Sequence, residues 1–187
     1  MPLLLQRPLI LTVAIFLLVF SGGCTGMNDI NIQQDRSNLK RVLTNQFSGP
    51  DETLVQLLND TEHATVIGDI ENETDNTEGN SELDAYYQKQ YREYFTADAY
   101  EEFVRVHAAH YHMIAEENQM EMNVKDLRLT QWETADRAYD FHLQVAYQDN
   151  AQQDTENIQG QAWMNDNHQI TRIRFSEHEL ADRLRGK

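Results

Sequence analysis

The chain has 187 residues, with 31 Asp and Glu against 15 Lys and Arg, a formal net charge of −16. That excess argues against nucleic acid and against adhesion to an anionic bilayer surface, since both require positive potential. The single cysteine excludes an intramolecular disulfide, and the length suits one domain.

The N-terminal stretch has the order of an export signal. Arg7 supplies the positive flank, Leu9 to Phe20 carries no charge, and Ser21, Gly22 and Gly23 precede Cys24. The apolar run is shorter than the roughly 20 residues a spanning helix needs, so cleavage is expected. The alternatives are an uncleaved anchor and ordinary secretion. The Ser21-Gly22-Gly23-Cys24 stretch resembles a bacterial lipoprotein signal: two small residues stand before the cysteine, and Ser21 replaces the usual aliphatic residue. The resemblance implies a signal peptide over 1–23, lipidation of Cys24 and attachment to the extracytoplasmic face of the membrane. One acyl chain anchors only marginally, and a diacyl group anchors stably.

Residues 24–36 read as a polar tether, and 37–187 as a single α+β domain. Ser37 looks like an N-cap, with Leu39, Val42, Leu43 and Phe47 at helical spacing. Gly49-Pro50 breaks this helix. Pro50 suits the first turn of the next, with Asp51 and Glu52 beside its positive end and Leu54, Val55, Leu57 and Leu58 on its apolar side. Residues 59–80 are acidic and are expected to form a loop, with at most a short strand over 64–67. Within the loop, 69–75 alternates oxygen ligands, but it lacks the turn glycine and closing Glu of an EF-hand.

Ser81 opens a helix bearing Leu83, Tyr86, Tyr87, Tyr91 and Tyr94. After Thr96, the residues Tyr100, Phe103, Val104, His107, Ala108, Tyr111, Ile114 and Ala115 share one helical face, the strongest periodicity in the chain. The pattern then changes to period two. Strands are expected over 122–132, with a phase slip near Lys125-Asp126, and over 137–148, 158–164 and 169–175. Residues 149–156 and 165–167 read as turns. Tyr139, Phe141, Leu143, Val145 and Tyr147 take one face of the second strand, and Asp140, His142, Gln144 and Ala146 the other. Ser176-Glu177-His178-Glu179 has capping-box spacing before a short terminal helix.

Helices followed by four consecutive antiparallel strands give an α+β fold, a helical layer on a curved meander. This order resembles the NTF2-like (cystatin-like) superfamily over roughly 51–175. The whole chain also resembles small uncharacterised lipoproteins of Gram-positive bacteria. The resemblance implies a pocket between helices and sheet, with Tyr100, Tyr111 and Phe141 among its lining.

No motif asks for a cofactor. His107 and His110 have the i, i+3 spacing of zinc-binding helices, but HExxH and a third ligand are missing. His110 and His112 are expected near solvent. His107, in the middle of an apolar face, is expected to be a structural core histidine. The alternative is an acid–base group of a small-molecule enzyme, with Asp140 and His142 as further candidates, because superfamily enzymes can use Asp and His. Asp140 and His142 fall on the polar side of their strand, which points instead to a solvated sheet face. Gly160 reads as a packing concession among bulky neighbours. The functional expectation is a membrane-anchored, non-catalytic module for an unknown protein or small-molecule ligand.

Overall fold

The computed structural model describes residues 26–66, 76–149 and 152–186. Over these residues the chain is α+β. Helices α1 (Gly26–Phe47), α2 (Glu52–Val66), α3 (Asn76–Tyr91), α4 (Ala97–Val106) and α5 (His110–Glu117) come first, with a 3-10 turn at Arg92–Tyr94. Strands β1 (Glu121–Gln131), β2 (Ala138–Gln148), β3 (Gln153–Met164) and β4 (Ile170–Phe175) follow, and α6 (Leu180–Leu184) comes last. The strands make one antiparallel sheet in the order β1-β2-β3-β4, a meander.

Period-two alternation decides which side of the sheet is covered. Tyr139, Phe141, Leu143, Val145 and Tyr147 of β2 are all buried. Opposite them on the same face stand Leu127 and Leu129 of β1, and Ile158 and Ala162 of β3. The register slips between Val124 and Asp126, so Lys125 is bulged out. The extra residue keeps Met122 and Val124 in phase with Leu127 and Leu129 on the inner face. Helices α1 and α5 pack on β1, and α4 packs on β4. The core joins Leu39, Val42, Leu43 and Phe47 of α1 to Phe103, Ile114 and the inner face of the sheet. Gly160 sits on this face: a Cβ there would collide with the Phe141 ring and the Arg174 carbonyl. Both sheet edges are partly occupied, β1 by a bridge from Gly49 to Met122 and β4 by one from Phe95 to Ile170.

Several expectations need correction. The tether expected over 24–36 is helical from Gly26 onward, because Asp35 and Leu39 are both fully buried and tie this turn to the sheet. The acidic loop expected over 59–80 is narrower, since α2 runs to Val66 and α3 begins at Asn76. The two helices pack on each other, and tertiary contact overrides weak periodicity. The 64–66 part of the expected short strand therefore belongs to α2, and residues 67–75, including the alternating acidic stretch, lie outside the described residues. The Tyr100–Ala115 stripe is two helices and not one: the Ala108 amide reaches the Phe103 carbonyl at 3.1 Å, a turn of i to i−5, and α5 restarts at His110. Finally, β3 starts at Gln153, well before residue 158.

Asp51 is the residue that starts α2, its Oδ1 accepting from the Leu54 amide at 2.9 Å. The capping box expected at 176–179 does not form, because α6 starts at Leu180 without a side-chain cap. Asn165 makes the β3–β4 turn as expected, its Oδ1 accepting from the amides of Asn167 and Gln169 at 3.0 and 2.9 Å. Among the described residues no helix is long and apolar enough to cross a membrane.

Candidate functional site

The break at residues 107–109 turns α5 relative to α4, and this decides where the histidines go. His112 faces inward and is 1 % exposed, where the unbroken stripe would have left it near solvent. Its Nε2 lies 3.0 Å from the Asn45 carbonyl, and its Nδ1 accepts from the Asp51 amide at 3.1 Å. An imidazole that donates at one nitrogen and accepts at the other is neutral. Burial, opposed by the Asn45 carbonyl and Asp51, keeps its pKa below the ordinary value.

His107 is half-buried between the rings of Phe103 and Phe175, 5.8 and 4.9 Å away. Its backbone is held at both ends, the amide by the Phe103 carbonyl and the carbonyl by Gln46 Nε2 at 2.6 Å. No described carboxylate bonds to its ring. Burial lowers its pKa, partly offset by the charge of Glu102. His178 is also lowered by burial. The Leu180 amide donates to its Nδ1 at 3.4 Å, which leaves the proton on Nε2, 3.1 Å from the Tyr111 hydroxyl.

Acidification should therefore destabilise the fold. His107, His110, His112 and His178 all have folded pKa values below the ordinary 6.5. Below that value the unfolded chain binds more protons than the folded one, so stability falls with pH. The loss begins near the unfolded value and ends for each histidine as its lowered folded value is passed. The urea midpoint is expected to be lower at pH 5.5 than at pH 7.5, while carboxylates are still largely ionised. An unchanged midpoint would show that these rings are solvated.

A second cluster links α1 to the β1–β2 and β3–β4 turns. Asp35 accepts from Arg137 Nη1 at 2.9 and 3.2 Å, from the Tyr139 hydroxyl at 2.9 Å and from His168 Nδ1 at 2.7 Å. Arg137 Nη1 has two hydrogens. One is shared by the carboxylate, and the other goes to the Asn165 carbonyl at 2.9 Å. None is left for His168, although its Nδ1 lies 3.1 Å away, so Nδ1 carries its own proton and donates to Asp35. Arg137 and His168 both have left-handed backbones, with φ of 58° and 60°. Residues of these types adopt that region at a cost of about 1–3 kcal/mol, which the shared carboxylate offsets.

The other face of the sheet is the open one. No described helix packs on it, and strand register lays its side chains out in rows. The row nearest the hairpin turns holds Trp132, Ala138, Trp163 and Arg172: Trp132 bonds to Ala138 through its amide, Ala138 pairs with Trp163, and Trp163 pairs with Arg172. Ala138 offers only a methyl between the two indoles, which meet edge-to-face at 5.8 Å and 74°. The next row is Thr130, Asp140, Gln161 and Arg174. Gln161 donates to Asp140 at 3.1 Å. The third row is Arg128, His142 and Gln159, at a cleft of about 520 Å³. The guanidinium carbons of Arg172 and Arg174 lie 5.8 and 5.9 Å from the Trp163 ring centre.

These positions separate the expected site residues. Asp140 and His142 share the outer face with Arg128, and His107 lies on the inner side, so no catalytic set forms from the three. His107 and His110 flank the helix break, and among the described residues no group of three or more His, Cys, Asp or Glu is placed to hold a metal ion. Five clefts of about 380–520 Å³ among the described residues are lined by none of the expected pocket residues. Phe141 is sealed in the core. Tyr100 is half-buried under the Arg92 guanidinium at 5.5 Å. Tyr111 is half-buried against Phe47 and His178, its phenol pushed up to about 12 by burial. Cys24 lies outside the described residues.

The Asp35 cluster was hidden in the sequence, because Asp35 falls in a polar stretch more than 100 positions from its partners. The indole row had a legible signal: Trp163 stands on the polar phase of its strand, between Ala162 and Met164. No protein-family model, curated protein or solved structure matches the chain.

Proposed function

We propose that the chain is a lipid-anchored extracytoplasmic lipoprotein with an NTF2-like domain, acting as a non-catalytic binding module through its open sheet face. The observation that carries this reading is the row of Trp132, Trp163 and Arg172 on a face that no described helix covers. The NTF2-like reading is supported by helices followed by a four-stranded antiparallel meander with one face covered.

A general base must lie within hydrogen-bond reach of a substrate proton, and the buried titratable groups among the described residues are engaged elsewhere. Both nitrogens of His112 are engaged with backbone. The Asp35 carboxylate is saturated by three side-chain donors, and His168 Nδ1 is committed to it. His107 has ring neighbours and no bonded acid. The enzyme alternative centred on His107 therefore has the weaker support.

The anchor has its own test. Cys24→Ser should release the protein from the membrane or leave the precursor uncut. Fractionation finding the variant membrane-bound at mature mass, like the parent, would contradict lipidation. The binding reading is tested by exchange at the source locus. Trp163→Ala combined with Arg174→Gln should reproduce the effect of deleting the chain, and His107→Gln should behave as the parent. The reverse pattern would favour the enzyme.

A further inference from the structure

From the outer face we infer that the ligand is an acidic glycan with isolated carboxylates, an inference that rests on the binding-module reading and deepens it. The indole of Trp163 is half-buried and flanked by two guanidiniums. Both Arg172 and Arg174 are exposed, and among the described residues neither is paired with a carboxylate. Two unpaired guanidiniums on one ring are a surplus of positive charge on a chain whose formal charge is −16. Planar guanidinium forks hold carboxylates through bidentate hydrogen bonds. The guanidiniums lie over the indole, so a carboxylate that they hold brings the C–H side of its sugar ring against the part of the indole left exposed.

The adjacent row completes the match. Asp140 and Gln161 are coupled at 3.1 Å and lie one row from the indoles. An acceptor carboxylate beside an amide suits hydroxyl groups, which donate and accept. Asp140 repels a ligand carboxylate, so the acid is directed to the β4 side, where Arg172 and Arg174 stand, and the hydroxyls toward β2. Strands about 4.8 Å apart place these groups at the width of a pyranose ring. The side chains run in rows across the strands, which suits an extended chain of sugars. A dense polyanion is opposed by the long-range field of the acidic chain, whereas a glycan with one carboxylate in every second sugar meets the arginines at short range.

The test uses the full-length lipidated protein in detergent micelles, titrated by calorimetry with three probes. These are an alternating glucuronate–N-acetylglucosamine tetrasaccharide, a neutral N-acetylglucosamine tetramer and a tetraglutamate peptide. The acidic tetrasaccharide should bind at least about tenfold tighter than either of the others, as charge-assisted pairing implies. Arg172→Gln with Arg174→Gln should remove the preference, bringing the acidic and neutral sugars to equal affinity. Trp163→Ala should weaken both sugars, and Arg105→Gln, on α4, should change nothing. Equal binding of the two sugars by the parent, tighter binding of the peptide, or no binding of any probe would overturn the glycan assignment. Failure here, with Trp163→Ala and Arg174→Gln together still reproducing the deletion, removes the glycan and leaves the binding module. Failure of both removes the module.

Discussion

Asp35→Ala is expected to destabilise the fold by about 3–5 kcal/mol, the cost of leaving one partner of a buried ion pair uncompensated. Asp35 is fully buried, and its side chain is the one acceptor shared by Arg137, Tyr139 and His168. Removing it leaves the Arg137 guanidinium, which is only 18 % exposed, with the Asn165 carbonyl and the fully exposed Asp166 carboxylate at 3.4 Å as its remaining partners, and takes the acceptor from Tyr139. It also frees the two left-handed residues, Arg137 in the β1–β2 turn and His168 in the β3–β4 turn, from the contact that offsets their strain. Trp132 and Trp163 lie beside those turns, so the loss should be visible as a change in tryptophan emission before global unfolding. Asp35→Asn keeps the shape and loses the charge, and should fall between the parent and Asp35→Ala. Urea melts give the measurement. A cost below about 1 kcal/mol would mean that the pair behaves as a solvated surface bridge.

Phe103→Ala is expected to cost about 3–5 kcal/mol, as for buried aromatics elsewhere. Phe103 is 1 % exposed. Its ring lies 5.1 Å from Tyr91, 4.7 Å from Phe95 and 5.8 Å from His107. Truncation removes a partner from each and leaves a cavity between α3, α4 and the sheet that these side chains cannot collapse to fill. Small domains have about 5–15 kcal/mol in total, so the variant should be marginal at 37 °C. A shift in urea melts equivalent to less than about 0.5 kcal/mol would place Phe103 outside the core, against typical buried-ring costs.

The sheet was legible in the sequence because period two is a local signal. Tyr139 to Tyr147 alternate, the slip at Lys125 is real, and the apolar phase resumes after it. The helical half was legible only in part. The stripe from Tyr100 to Ala115 marks buried positions correctly at Phe103, Ala108, Ile114 and Ala115. It could not show the break at His107, which is set by a backbone bond from Ala108 to Phe103. The position of His112 follows from that break. α1 extends into a polar stretch because Asp35 is held by residues of the β1–β2 and β3–β4 turns, a contact that no local pattern encodes. Asp140 and His142 were correctly placed on the polar face, and the same alternation put Trp163 there. The indole row emerges only when register brings Trp132, Ala138 and Trp163 side by side.

The most direct measurement of the open sheet face as a contact surface is residue-selective labelling of tryptophan and arginine, with the intact protein on its own cells and in purified lipid vesicles. Trp163, Arg172 and Arg174 should be protected on the cells relative to the vesicles, with Arg105 and Arg183 labelled equally in both. Equal labelling of Trp163 and Arg174 in the two settings would contradict a ligand on this face.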